Sequence, residues 1–162
     1  MASWAGALAA VQADLVLAAA DVNALDPSKD QFVPAPGESI SAIERRLRYW
    51  YDGDGEENAL VKMTLSRNSV AEKLTIRWYW PVVNRDDAWI SDLEVQLQAA
   101  NRATQKYLML DEHLKNAGTE NSVGLYLPGG TTGWQNVGEA WIRVLTIPLY
   151  VSMVDTEVVG TL

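Results

Sequence analysis

The chain has 162 residues, no cysteine, one histidine and a formal net charge of −8 at pH 7. That length fits one domain that can bury a core without cross-links. The absent cysteines exclude disulfide frameworks, thiolate metal sites and cysteine nucleophiles, and the acidic balance argues against a binder of nucleic-acid backbones, which needs a basic surface.

The segment from Trp4 to Ala20 is apolar and alanine-rich, but it has no basic leader and carries Gln12 and Asp14. It is expected to be a retained helix, too short and too polar to span a bilayer. Leu8, Val11, Leu15, Ala19 and Val22 recur at helical spacing. Ser3 is the expected N-cap, and Asp26-Pro27 should end the helix near Leu25. Pro27, Pro34 and Pro36 then predict an extended connection through Gly37.

From Ala42 to Tyr51 the period changes to two. Ile43, Leu47, Tyr49 and Tyr51 point one way, and Glu44, Arg46, Arg48 and Trp50 the other. The run Asp52-Gly53-Asp54-Gly55 is expected to break this strand. A second strand from Val70 to Trp80 sets Leu74, Ile76, Trp78 and Trp80 against Lys73, Thr75, Arg77 and Tyr79. Residues 52–69 between them exceed an ordinary hairpin loop and are expected to project as an arm.

Asp86 or Asp87 can cap a second helix, with Trp89, Leu93, Leu97, Ala100 and Tyr107 near one face and Gly118 as a stop. A short strand, Ser122 to Leu127, should lead into a Gly/Thr-rich contact loop at 128–138 around Trp134. The last strand, Glu139 to Asp155, is apolar on both faces. Such a strand is covered on both sides, and a neighbouring copy is expected to supply one cover. Pro148 within it implies an edge or a bulge. The order α-β-β-α-β-β predicts a single α+β domain over residues 1–162, an antiparallel four-stranded sheet with helices packed on one face.

Chemistry-bearing motifs are sparse. His113, beside Asp111 and Glu112 in a polar helical stretch, reads as a surface histidine, since adjacent helical positions do not face one another. The acidic run through Glu56 and Glu57 has the first two ligands of a calcium loop but not its later ones, so it reads as a solvated turn. A weak cation site between subunits stays open there. Gly129-Gly130-Thr131-Thr132-Gly133 has no lysine and no following helix, so it is no phosphate cradle. Gly-x-Ser-x-Gly does not occur. The expectation is a protein without enzymatic activity and with no catalytic, cofactor or metal site.

Seven tryptophans stand against one phenylalanine, and tryptophan is enriched at interface hot spots. About half are expected in the core, where aromatic rings also concentrate. Trp50 shares its strand face with Arg46 and Arg48, a combination favoured where proteins meet. The interface candidates are therefore Arg46, Arg48 and Trp50, then the arm acids Asp52, Asp54, Glu56 and Glu57, and finally Trp134 and Trp141.

Five segments in this order, ALAAVQADLVLAA, AIERRLRYWYDG, SVAEKLTIRWYWPV, DDAWISDLEVQLQAANRATQKYL and WIRVLTIPLYVSMVD, make a layout that resembles the tail terminator proteins of long-tailed, siphovirus-like bacteriophages. The likeness covers roughly residues 5–155, with extra length at 52–69 and 116–138. It implies a structural virion protein that forms a homohexameric ring on the head-proximal end of the tail tube. Such a ring stops tube polymerisation and joins the tube to head-completion or neck proteins at the head–tail junction. It assembles in the host cytoplasm, meets no membrane, and lets DNA pass through its lumen without specific binding. An acidic lumen suits that passage. The alternatives are another connector, neck or tail-tube ring subunit, and, from a different class, a small-molecule binding module with its pocket around Arg46, Arg48 and Trp50.

Overall fold

The two sequence periods sort into two layers. The computed structural model describes residues 4–38, 44–54, 69–82, 87–109, 122–127 and 129–154. Helices α1 (Trp4–Asn23) and α2 (Asp87–Met109) cover one face of a mixed sheet. Its strands are β1 (Pro34–Pro36), β2 (Arg46–Asp54), β3 (Ser69–Val82), β4 (Ser122–Tyr126), β5 (Thr131–Val137) and β6 (Ala140–Val154). The order across the sheet is β1-β2-β3-β6-β4, and β5 pairs with β6. β4 lies beside residues 150–153 of β6, and β5 beside residues 140–146 of the same edge. The fold is α+β. No helix among the described residues is long and apolar enough to cross a membrane.

The expected four-stranded antiparallel sheet is corrected in three places. First, the Pro-rich connection contributes β1, which runs parallel to β2 from Pro34↔Leu47 to Pro36↔Tyr49. Gln12 Nε2 on α1 donates to the Pro34 carbonyl at 3.0 Å. A strand of Pro-Ala-Pro fits only at an edge, because proline has no N–H to give a second neighbour. Second, the contact loop expected at 128–138 is largely strand β5. It joins β6 through the two-residue turn Gly138-Glu139, where Gly138 has φ +65, the first-position glycine of a tight hairpin turn. Third, β2 does not stop at Asp52. Its ladder shifts between Tyr51 and Asp54, a bulge that absorbs the Asp-Gly run without ending the strand. Among the described residues the element order is therefore α-β-β-β-α-β-β-β. Residues 55–68 of the expected arm, with Glu56 and Glu57, and the His113 segment lie outside the described residues.

The face partition read from alternation holds. Leu47 and Tyr49, then Leu74, Ile76, Trp78 and Trp80, then Leu145, Ile147, Leu149 and Val151 share one core with α1 and α2. Val11, Leu15, Ala18 and Val22 enter from α1, and Leu93, Leu97, Ala100, Ala103 and Leu108 from α2. Phe32 meets Trp78 and Trp80 edge-on at 5.0 and 5.3 Å, and the two indoles stack at 6.1 Å. Both indole N–H groups find acceptors on α2. Trp78 donates to Thr104 Oγ1 at 3.1 Å, and Trp80 to Gln96 Oε1 at 3.3 Å. Asn23, the last residue of α1, holds Phe32 in place by accepting its backbone N–H at 2.8 Å and donating to its carbonyl at 3.1 Å.

On the other face, Tyr79, Ile142 and Val144 form a small second cluster against Val137. Ile142 and Val144, on the outer side of β6, are thus buried by this chain itself, whereas Trp141 at the same end stays 38% exposed on the helix side. Pro148 is in a central strand, opposite Thr75 of β3. On its other side it falls in the gap between β4 and β5, where a missing donor interrupts no ladder.

The chain leading into β5 passes close beneath α2. A Cβ built on Gly130 would lie 2.6 Å from Leu145 Cδ1 and 2.7 Å from Asn101 Oδ1. Leu145 is fully buried, so it cannot swing away freely. Gly130→Ala should therefore lower the unfolding free energy by about 1–3 kcal/mol, the usual cost of overpacking, as read by urea denaturation. A loss below about 0.5 kcal/mol would show that Leu145 and Asn101 yield without strain.

Candidate interaction surfaces

The alternation of β2 and β3 turns a second set of side chains away from the helices. Cross-strand register lines up Arg46 with Tyr79, Arg48 with Arg77, and Trp50 with Thr75. Arg77 organises this face. Its Nε donates to Thr146 Oγ1 at 3.0 Å and its Nη1 to Tyr79 Oη at 3.5 Å. Nη1 also pairs with Glu38 Oε1 at 3.4 Å. The guanidinium lies over the Trp50 ring, 5.0 Å from its centroid. Trp50, half-buried, is thus a planar surface already stacked on one cation. Arg46 pairs with Glu44. Asp52 accepts from Thr75 Oγ1 at 2.7 Å and pairs with Lys73 at 3.6 Å. It belongs to the sheet face and not to a projecting arm, while Asp54 sits at the end of β2 beyond the bulge.

Trp134 and Trp141 occupy a different place. Register pairs Trp134 with Arg143 and Asn136 with Trp141, so both indoles sit on neighbouring rows of the helix-side face of the β5–β6 hairpin. They are 47% and 38% exposed. Arg143 lies over Trp134 at 5.0 Å, donates from Nε to Glu94 Oε1 of α2 at 3.0 Å, and from Nη1 to the Gly133 carbonyl at 3.1 Å. The sequence candidates therefore form two groups separated by the width of β3 and β6. Periodicity marked Trp50 with its arginines. It missed Arg77 and Arg143, each of which holds a tryptophan, because arginine at an alternating position reads only as polar.

A third feature is the rim between the α1–β1 connection and β2. Arg45 packs over Phe32 at 5.4 Å. Burial pushes its guanidinium pKa down, while Asp26, Asp92 and Asp30 favour its charge. Beside it, Asp30, Gln31, Val33, Arg45, Arg46 and Arg48 line a groove of about 400 Å³. Among the described residues, no three His, Cys, Asp or Glu side chains converge as a metal site would require.

No protein-family model matches the sequence, and no curated protein matches it.

The outer-face cluster makes a pH prediction. Tyr79 is fully buried, and burial raises its pKa above the ordinary value near 10, with Arg77 partly opposing the rise. The unfolded chain loses this proton first, so the contribution of Tyr79 is whole below pH 10 and declines as pH rises toward the folded-state value. Denaturation midpoints followed from pH 8 to pH 11 should fall more steeply in the wild type than in Tyr79→Phe. Parallel curves would show that the phenol does not control alkaline stability.

Proposed function

We propose that this chain is a ring-forming structural subunit of a bacteriophage tail, a tail terminator that caps the head-proximal end of the tube and presents a surface to the head-completion proteins. The observation that carries self-assembly is the outward side of α1. Ala9, Ala13, Val16, Leu17 and Ala20 all face away from the core, with Val16 49% and Leu17 42% exposed. Of the few polar residues on this helix, Asp14 is buried and Asn23 is committed to Phe32. Asp21 accepts from Tyr107 Oη at 2.9 Å. A helix apolar on nearly every side belongs between protein layers, and α2 and the sheet cover only its inward sides.

A second copy of the chain supplies the missing layer. A heterologous contact that closes on itself gives a ring with no open side, which is what a terminator needs in order to bind a tube end and halt growth. Support for the tail setting comes from the layout: helix, long aromatic strands, helix, and a long last strand. The acidic balance suits a lumen through which DNA slides. The second reading, a small-molecule binding module, draws on the arginine-lined groove at the β1–β2 rim, whose size is within the range of ligand pockets.

Light scattering after size exclusion, with negative-stain images of the same peak, tests the proposal. Discrete rings of about 100 kDa are expected from a 17.9 kDa chain, either alone or when tail tubes are added. Leu17→Glu should abolish them while leaving helix content unchanged. A monomer that ignores tail tubes would move the assignment to the binding module, and long filaments would move it to a tube subunit.

A further inference from the structure

The two lateral edges of the sheet are built differently. At the β1 edge the strand is three residues long and two of them are prolines, Pro34 and Pro36. Short, proline-bearing edges are how proteins prevent strands from pairing with other chains. β5 has none of these guards. Its seven residues, Thr131–Val137, contain no proline and no charged side chain. Among the described residues it pairs only with β6, and most of it is exposed to solvent.

The hairpin also determines which backbone groups are unused. In a two-residue hairpin the residues flanking the turn, here Val137 and Ala140, exchange their hydrogen bonds, and bonding alternates along the strand from that pair. Val137, Gln135, Gly133 and Thr131 therefore turn their N–H and C=O groups toward β6. Asn136, Trp134 and Thr132 turn theirs to the open edge.

We propose that the β5 edge is a self-pairing surface whose partner is the β5 edge of a second copy, run antiparallel about a two-fold axis at Trp134. Trp134 is the middle residue of the strand, so this register opposes Trp134 to its counterpart and Thr132 to Asn136 on each side. Every outward N–H then meets an outward C=O, and the whole strand is used. The strand carries no charged side chain, and the guanidinium that lies over it, Arg143, is ion-paired with Glu94, so a second copy brings no unpaired like charge against it. That absence favours this occupant over a basic or acidic peptide, which would find nothing complementary. Arg143, stacked on Trp134 and tied to Glu94, already fixes the indole that the pairing buries, so little side-chain freedom is lost on contact. A cross-strand aromatic pair adds to the backbone hydrogen bonds.

This contact does not depend on ring closure. It joins two single copies, or two rings face to face, so its loss halves the particle mass in either case. The test is sedimentation equilibrium up to about 100 μM, because a contact this small lies at the weak end of protein interfaces. Two variants address the edge by different means. Thr132→Pro removes an outward N–H and leaves the β6 ladder intact, and Trp134→Lys sets like charges opposite each other on the axis. Both should weaken pairing by about tenfold or more with far-UV circular dichroism unchanged. Leu17→Glu, which addresses α1, should leave the two-fold pairing in place. A wild type that does not pair at the highest concentration, or folded Thr132→Pro and Trp134→Lys proteins of unaltered mass, would overturn the assignment.

Discussion

The packing of two tryptophans on β3 is the constraint on which the other elements depend. Trp78 and Trp80 are buried side by side in a central strand, and each brings an N–H that needs an acceptor. α2 supplies both, through Thr104 and Gln96. Leaving one such donor unpaired in the core costs about 1–3 kcal/mol, so the rotation and height of α2 over the sheet are fixed by these two hydrogen bonds as much as by its leucines. Thr104 in turn donates to the Ala100 carbonyl at 2.7 Å, and Gln96 donates to Asp92 at 3.1 Å, so both acceptors are held by α2 itself. On the other side of the indoles, Phe32 sets the path of the chain that leaves α1. The pairing of Asn23 with the Phe32 backbone follows from that position, and the seat of β1 beside β2 follows in turn.

The surface tryptophans use a different chemistry. Trp50 and Trp134 do not bury their rings in the core; each lies beneath an arginine, Arg77 on the outer face and Arg143 on the helix side. Both arginines also reach a carboxylate, Glu38 and Glu94 respectively. A stacked, ion-paired guanidinium holds an aromatic ring flat while leaving its other face available. The two arrangements differ in what they tie together. Arg77 links neighbouring strands, whereas Arg143 connects the β5–β6 hairpin to α2. The hairpin, already held by the ladder of β6 with β3 and by the Val137–Ile142–Val144 cluster, thereby gains a polar tie to α2 near the surface.

Much of the fold was legible because its long elements carry clean periods. Leu74, Ile76, Trp78 and Trp80 alternate strictly, and the same parity places Leu145, Ile147 and Leu149 on the helix side. The elements that were missed are those whose chemistry obscures the period. Thr131 to Val137 mixes glycine with polar residues because nearly all of it is exposed, so no face has to be apolar. The available signal was Gly138-Glu139, two turn residues between runs that can pair. Pro34–Pro36 reads as a connection because prolines exclude most strands, although an edge strand with one partner tolerates them. Asp52-Gly53 reads as a stop, whereas a bulge lets the ladder resume at Asp54. For the surfaces, sequence picked out Trp50, Trp134 and Trp141 as residues, but their grouping required the register, which no local pattern encodes.

An apolar helix exterior and an unguarded strand edge on one molecule raise the question of what keeps the chain from associating indiscriminately. Its net charge of −8 supplies an opposing force of different range. Repulsion between like-charged copies acts over about 8 Å at physiological ionic strength, farther than the contact distances at which apolar side chains or backbone hydrogen bonds attract. Two copies that approach in an arbitrary orientation feel the repulsion first and gain little in return. On the proposed reading, an approach that brings Val16 and Leu17 against a matching surface, or one β5 against another, is the kind that gathers enough short-range contact to exceed it. Under that proposal, surfaces that would be aggregation hazards on a neutral protein act selectively, because charge sets the threshold and geometry decides which contacts cross it.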